Sequence, residues 1–142
     1  MKVFRSDDGK AALVRLMPGD DLLKGLNKAA AELGYHAGTV SIVGAVQNLV
    51  VAYFDQDKKE YRPFLRFDEP MEVSGGTGNV SLKDGVPFVH IHVNGSDSQG
   101  RSVGGHLMDG TTVYMIEAYF RVLAGEAPVR ELDADVGLPV WH

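Results

Sequence analysis

Phe88-Val89-His90-Ile91-His92-Val93-Asn94 leads into the turn-rich run Gly95-Ser96-Asp97-Ser98-Gln99-Gly100-Arg101 and then into Ser102-Val103-Gly104-Gly105-His106-Leu107-Met108. Two Val/Ile-rich stretches around a cluster of turn formers predict a β-hairpin. Side chains alternate faces along a strand, so Val89, Ile91 and Val93 point into a core while His90 and His92 share the opposite face. A loop over Asn94–Ser102 centred near Ser98 pairs residues whose numbers sum to about 196. That register sets His90 opposite His106 and His92 opposite Gly104, with Gly104 leaving a gap beside three imidazoles. Directly paired residues lie roughly 4.5–5.5 Å apart at Cβ. A slip of one residue would turn His106 to the far face.

Three neutral imidazoles suit Zn²⁺, and also Ni²⁺, Fe²⁺ or Cu²⁺, and leave a position for water or a carboxylate. Glu117 is the candidate for a fourth or outer-shell group. If its strand pairs back through the turn Asp109-Gly110, Glu117 shares a face with Val113 and Met115.

Outward from the hairpin the chain is mostly strand. Val3–Arg5 and Ala11–Met17 flank the turn Asp7-Asp8-Gly9. His36–Val46, Leu49–Phe54, Tyr61–Phe67 and Thr111–Leu123 carry the β-branched and aromatic residues of strands. Glu72–Leu82 is glycine-rich and predicts a kinked or bulged strand. The tail from Pro128 has no strand pattern, and Trp141 is expected to anchor it, on a neighbouring subunit for instance. One helix interrupts the strands. Pro18-Gly19-Asp20 is its start signal, with Asp20 as N-cap, and Gly34 its stop. Leu22, Leu23, Leu26, Ala29, Ala30 and Leu33 form its apolar stripe. The expectation is an α+β fold: a curled, mostly antiparallel sheet, a partial barrel, with one main helix packed on it.

The chain of 142 residues is 44% hydrophobic and 23% charged, which suits one domain over residues 1–142. It holds no cysteine, which excludes disulfides and thiolate metal sites. The first residues lack the apolar segment of a secretory signal and no apolar run is long enough to span a bilayer, so a cytoplasmic protein without membrane partners is expected. The net charge of −5 disfavours non-specific nucleic-acid binding.

Several segments, in this order, resemble the plants and prokaryotes conserved (PPC) domain family. They are Leu16-Met17-Pro18-Gly19-Asp20-Asp21-Leu22, Val40-Ser41-Ile42-Val43-Gly44-Ala45-Val46, Ala52-Tyr53-Phe54-Asp55, Gly78-Asn79-Val80-Ser81-Leu82-Lys83-Asp84-Gly85, Pro87–His92 and Gly104–Leu107. The resemblance covers nearly the whole chain. It implies an α+β domain that forms homotrimers and, in prokaryotic members, binds a divalent metal, zinc foremost, through the histidines matching His90, His92 and His106. The resemblance also implies a DNA-binding label often given to the family, but plant relatives that act on DNA carry separate AT-hook segments and generally lack this histidine set, and no Arg-Gly-Arg-Pro hook occurs here.

Other signals are weaker. Lys58, Lys59, Arg62 and Arg66, interleaved with Tyr61, Phe64 and Phe67, are the candidate nucleic-acid contacts, diluted by Asp55, Asp57, Glu60, Asp68 and Glu69. Gly75-Gly76-Thr77-Gly78 lacks the Gly-Lys-Ser/Thr ending of a phosphate loop and is better explained by close strand packing. The lead expectation is a small trimeric metal-binding protein with a regulatory role. The alternatives are a metal-dependent hydrolase, in which Glu117 or Asp109 carries protons for a metal-activated water, and a DNA-binding protein. No substrate or small-molecule ligand is specified.

Overall fold

The computed structural model describes residues 1–141. The strands are β1 (Lys2–Arg5), β2 (Ala11–Leu16), β3 (Gly38–Val46), β4 (Leu49–Ala52), β5 (Phe54–Asp55), β6 (Glu60–Tyr61) and β7 (Leu65–Phe67). They continue with β8 (Met71–Lys83), β9 (Val86–Ser96), β10 (Ser102–Leu107), β11 (Val113–Val122), β12 (Arg130–Asp133) and β13 (Leu138–Trp141). The helix α1 spans Leu22–Leu33. Strand makes up 57% of the structure.

The main sheet has nine strands in the order β1-β2-β11-β3-β8-β9-β10-β4-β7, and its named pairings are antiparallel. The expected α+β class therefore holds, but the sheet keeps two ends, β1 and β7, and no closed barrel forms. Two ribbons stand apart from it, β5–β6 and β12–β13.

The helix buries Leu22, Leu26, Ala29, Ala30 and Leu33 of the stripe its periodicity predicts, and Leu23 is only partly buried. Gly34 ends it in a left-handed conformation (φ 70°). The N-cap is Asp21 rather than Asp20. The Asp21 side chain accepts from the Lys24 backbone N–H (3.0 Å) and from that of Gly110 (2.7 Å), whereas Asp20 accepts from Met17 N–H (2.9 Å) in the preceding turn. The Asn27 side-chain oxygen on α1 accepts from Val89 N–H at 2.8 Å, which fixes β9 against the helix.

The core lies between helix and sheet. Val89, Ile91 and Val93 of β9 are buried there with Val40, Ile42, Ile116 and Phe120. Strand alternation sends the histidines of β9 to the other face. Two of the three glycines of β8 serve close packing, as expected: a Cβ at Gly78 would run into the His90 carbonyl oxygen, and one at Gly76 would lie 2.6 Å from Ile42 Cγ1, whereas Gly75 has open space. A register shift falls between Val73 and Gly75.

Two local expectations fail. The predicted strand Tyr61–Phe67 is two short strands separated around Pro63, a residue with no N–H to donate to a ladder. The tail is not irregular: β12 and β13 pair from Arg130↔Trp141 to Asp133↔Leu138. This hairpin joins the main sheet through Leu82 N–H donating to Pro128 O (2.9 Å). Trp141 packs within its own chain, its ring 5.4 Å from the Arg130 guanidinium.

Candidate metal centre

The β9–β10 hairpin pairs Ser102 with Ser96, Gly104 with Asn94, and His106 with His92. The pairing sum is 198, not 196. The loop is centred at Gln99 because the Asp97 carboxylate accepts from the Gln99 and Arg101 backbone N–H groups (2.8 and 2.9 Å) and Gly100 takes φ 77°. A displacement by two residues keeps every side chain on its expected face. His106 thus lies directly across from His92, and His90 completes the group from one step further along β9.

The three rings are 4.9–5.3 Å apart, centroid to centroid. Their donor atoms lie within 4.8 Å of one another, a set that can hold a metal ion. Zinc–imidazole bonds of about 2.0–2.1 Å in a tetrahedral site place nitrogens roughly 3.3–3.4 Å apart. Small side-chain rotations close that difference. Burial, then Arg130 and His92, lower the pKa of His90 from 6.5 to about 4. Burial, then His90, His92 and Arg130, do the same for His106. Both rings are therefore neutral at pH 7, the form that ligates metal.

Gly104 plays a different part from the expected one. It faces Asn94, and a Cβ there would strike the Asn94 side-chain oxygen, so the space its hydrogen leaves is taken by Asn94. Glu117 is not brought to the histidines. It pairs with Arg15 and Val43, and β3 and β8 stand between its strand and β9. The strand β11 does not pair with β10, and a register shift between Val113 and Met115 separates the buried Val113 from the face that carries Met115 and Glu117. Asp109 pairs with Lys24 of the helix at 3.8 Å.

Each of the two ribbons brings one residue to the histidines. Tyr61 of β6 lies with its ring 5.4 Å from that of His106. Arg130 of β12 reaches over β8. Its Nε donates to Ser81 Oγ (2.8 Å), Nη1 to Pro139 O (2.9 Å) and Nη2 to Asn79 Oδ1 (2.9 Å), and Nη2 lies 3.4 Å from His90 Nδ1. Arg130 and Tyr61 escape sequence reasoning because nothing in their local pattern links them to the hairpin. The only hint is the run Asn79-Val80-Ser81, whose two polar residues alternate onto the histidine face of β8.

A cleft of about 310 Å³ opens beside His90 and His106, lined also by Tyr61, Lys83, Phe88, Met108, Arg130, Leu138, Pro139 and Val140. Among these described residues none is a carboxylate, so neither Glu117 nor Asp109, the expected proton carriers, lines it.

Three of the four candidate nucleic-acid residues have partners within the chain. Arg62 pairs with Asp55 (3.1 Å) and stacks on Tyr53, and Arg66 pairs with Asp68 (2.6 Å). Lys59 Nζ donates to Ala134 O (3.0 Å), and Lys58 is exposed beside them. Their interleaved aromatics do not share a platform: Tyr61 turns to His106, Phe67 packs on the core and Phe64 is exposed.

The model of the Plants and Prokaryotes Conserved (PCC) domain matches residues 4–123. The metal-containing protein AF0104 of Archaeoglobus fulgidus superposes with a TM-score of 0.88 at 42% identity, over 100% of this chain and 99% of that one. A plant- and prokaryote-conserved protein of Pyrococcus horikoshii gives 0.87 at 31% identity, over 99% and 93%. The bifunctional protein GlmU of a Synechococcus species (strain JA-3-3Ab) is 34% identical over 102 residues, 71% of this chain. The match spans only 15% of that longer protein.

Proposed function

The chain belongs to the Plants and Prokaryotes Conserved domain family, and on that premise we propose that it is a divalent-metal-binding protein, zinc foremost, with His90, His92 and His106 as the ligands. The observation that carries this is the closure of three donor atoms to within 4.8 Å on one sheet face. The neutrality of His90 and His106 and the similarity to a metal-containing archaeal protein support it. The three histidines would hold the ion, which would supply Lewis-acid chemistry beside the cleft.

The protein works as a homotrimer in this proposal, in the cytoplasm and in a regulatory capacity. Phe4, Leu13, Val43, Met115 and Tyr119, exposed on neighbouring strands of one sheet region, support self-association. Among the described residues no helix is long and apolar enough to cross a membrane. Elemental analysis of the purified protein beside the triple variant His90→Ala, His92→Ala, His106→Ala tests the metal assignment. Near-stoichiometric metal in the first and background in the second is expected, and equal content in both refutes it. Light scattering of the same samples measures the oligomer, for which three times the chain mass is expected.

A further inference from the structure

The cleft beside the histidines is cationic, and among the described residues no carboxylate lines it. Arg130 is half-buried, and each hydrogen-bond partner it has in the structure is neutral: the side-chain oxygens of Asn79 and Ser81 and the Pro139 carbonyl. The guanidinium stacks against Phe88 and Trp141, with centroid distances of 5.6 and 5.4 Å. Lys83 lies over the other part of the same cleft, 5.3 Å from the Phe88 ring. Neither cation forms an ion pair with a described residue. The ion pairs seen among the described residues lie elsewhere.

This arrangement inverts the usual surroundings of a metal-binding imidazole. The second ring nitrogen of such a histidine ordinarily donates to a carboxylate or carbonyl, which raises its basicity. Here His90 Nδ1 faces a guanidinium nitrogen at 3.4 Å. Three neutral imidazoles do not offset a divalent ion, so a loaded site would add positive charge to a cleft that already holds two cations. Partly buried cations without counter-charge are unfavourable, and a bound anion removes the cost. The rest of the wall is apolar: Phe88, Met108, Leu138, Pro139 and Val140 line it, and about 310 Å³ suits a small molecule.

We propose that this cleft binds a small organic oxyanion, a carboxylate or phosphate monoester with an apolar body, whose charged end lies between the metal position, Arg130 and Lys83. The inference rests on the metal assignment made above. Arg130 supplies charge and its remaining N–H on Nη1, Lys83 supplies a mobile ammonium, and the apolar wall holds the body.

The test is calorimetric titration of metal-assayed protein with benzoate, phenyl phosphate and inorganic phosphate. Lys83→Gln is the main variant, since the Lys83 side chain makes no hydrogen bond to a described residue and its replacement should leave the fold intact. Arg130→Lys keeps the charge but not the fork of hydrogen bonds. The expected result is binding of benzoate or phenyl phosphate to the metal-loaded protein, weakened about tenfold by Lys83→Gln and weakened further when metal is removed by chelation. Arg130→Lys should bind between the two. Which organic probe binds more tightly separates carboxylate from phosphate. A protein that carries metal yet binds none of the probes overturns the anion site and leaves the metal assignment standing. Inorganic phosphate binding as well as phenyl phosphate overturns the organic character of the ligand. Absence of metal overturns the metal assignment, and the proposal with it.

Discussion

Zinc should raise the thermal stability of this protein, and replacing one histidine of the cluster should abolish that rise. The donor atoms of His90, His92 and His106 stand within 4.8 Å of one another, against roughly 3.3–3.4 Å in a tetrahedral zinc site. Little reorganisation is needed, so binding energy appears as folding energy. At free zinc a hundred times the dissociation constant, mass action adds about 2.7 kcal/mol. For a chain of this length that is roughly 8–11 °C in Tm, taking about 3–4 °C per kcal/mol. His106→Ala removes a ligand whose ring also contacts Tyr61; since the residue is only partly buried, the metal-free stability should change by about 1 kcal/mol or less. Differential scanning calorimetry with and without zinc, followed by chelator, reads both quantities. His36→Ala, an exposed histidine outside the cluster, is the control and should keep the full rise. An equal rise in wild type, His106→Ala and His36→Ala would refute the reasoning, as would no rise with zinc, nickel or cobalt.

Three further outcomes follow from the same geometry. His90 and His106 take up protons near pH 4 when folded and near 6.5 when unfolded, so the unfolded chain binds more protons between those values and the metal-free protein loses stability as pH falls through that window. After allowance for solvent screening the loss is about 1 kcal/mol per ring. Urea unfolding at pH 7.5 and 4.5 should show a smaller pH effect in a His90→Gln, His106→Gln double variant, and an unchanged effect would contradict it. Gly78→Ala puts a Cβ against the His90 carbonyl and should cost ~2–3 kcal/mol and weaken metal binding, because β9 must move. Gly75→Ala has open space and should stay within about 1 kcal/mol; comparable urea midpoints for the two would count against the packing argument. Asp21→Ala loses the helix cap and the bond from Gly110 N–H and should cost ~1–2 kcal/mol with metal content unchanged, which chemical denaturation and elemental analysis check together.

The helix was legible because its signals are local: a 3.6-residue apolar stripe, an acidic cap and Gly34. Its cap was misplaced by one residue because Asp20 and Asp21 are both competent, and the choice is made by Gly110, which is distant in sequence. Pro63 marked a break that the aromatic content of Tyr61–Phe67 obscured. The tail from Pro128 was opaque because its strands are short and one of them contains Pro139, so pairing with each other and with Arg130's partners on β8 decides their conformation.

The sequence alone determined that His90, His92 and His106 share a face. Side-chain alternation has a period of two, and any even displacement of the hairpin preserves it. The observed register differs from the expected one by such a displacement, so the cluster survived an error in its detail. Only the tertiary structure decided what surrounds that face. The strand order puts β3 and β8 between Glu117 and the histidines, and two ribbons from elsewhere in the chain bring Tyr61 and Arg130 instead. The pattern along one strand fixes which way a side chain points. Which strands become neighbours depends on long-range packing and hydrogen bonding, and that is why the histidines face a guanidinium rather than a carboxylate.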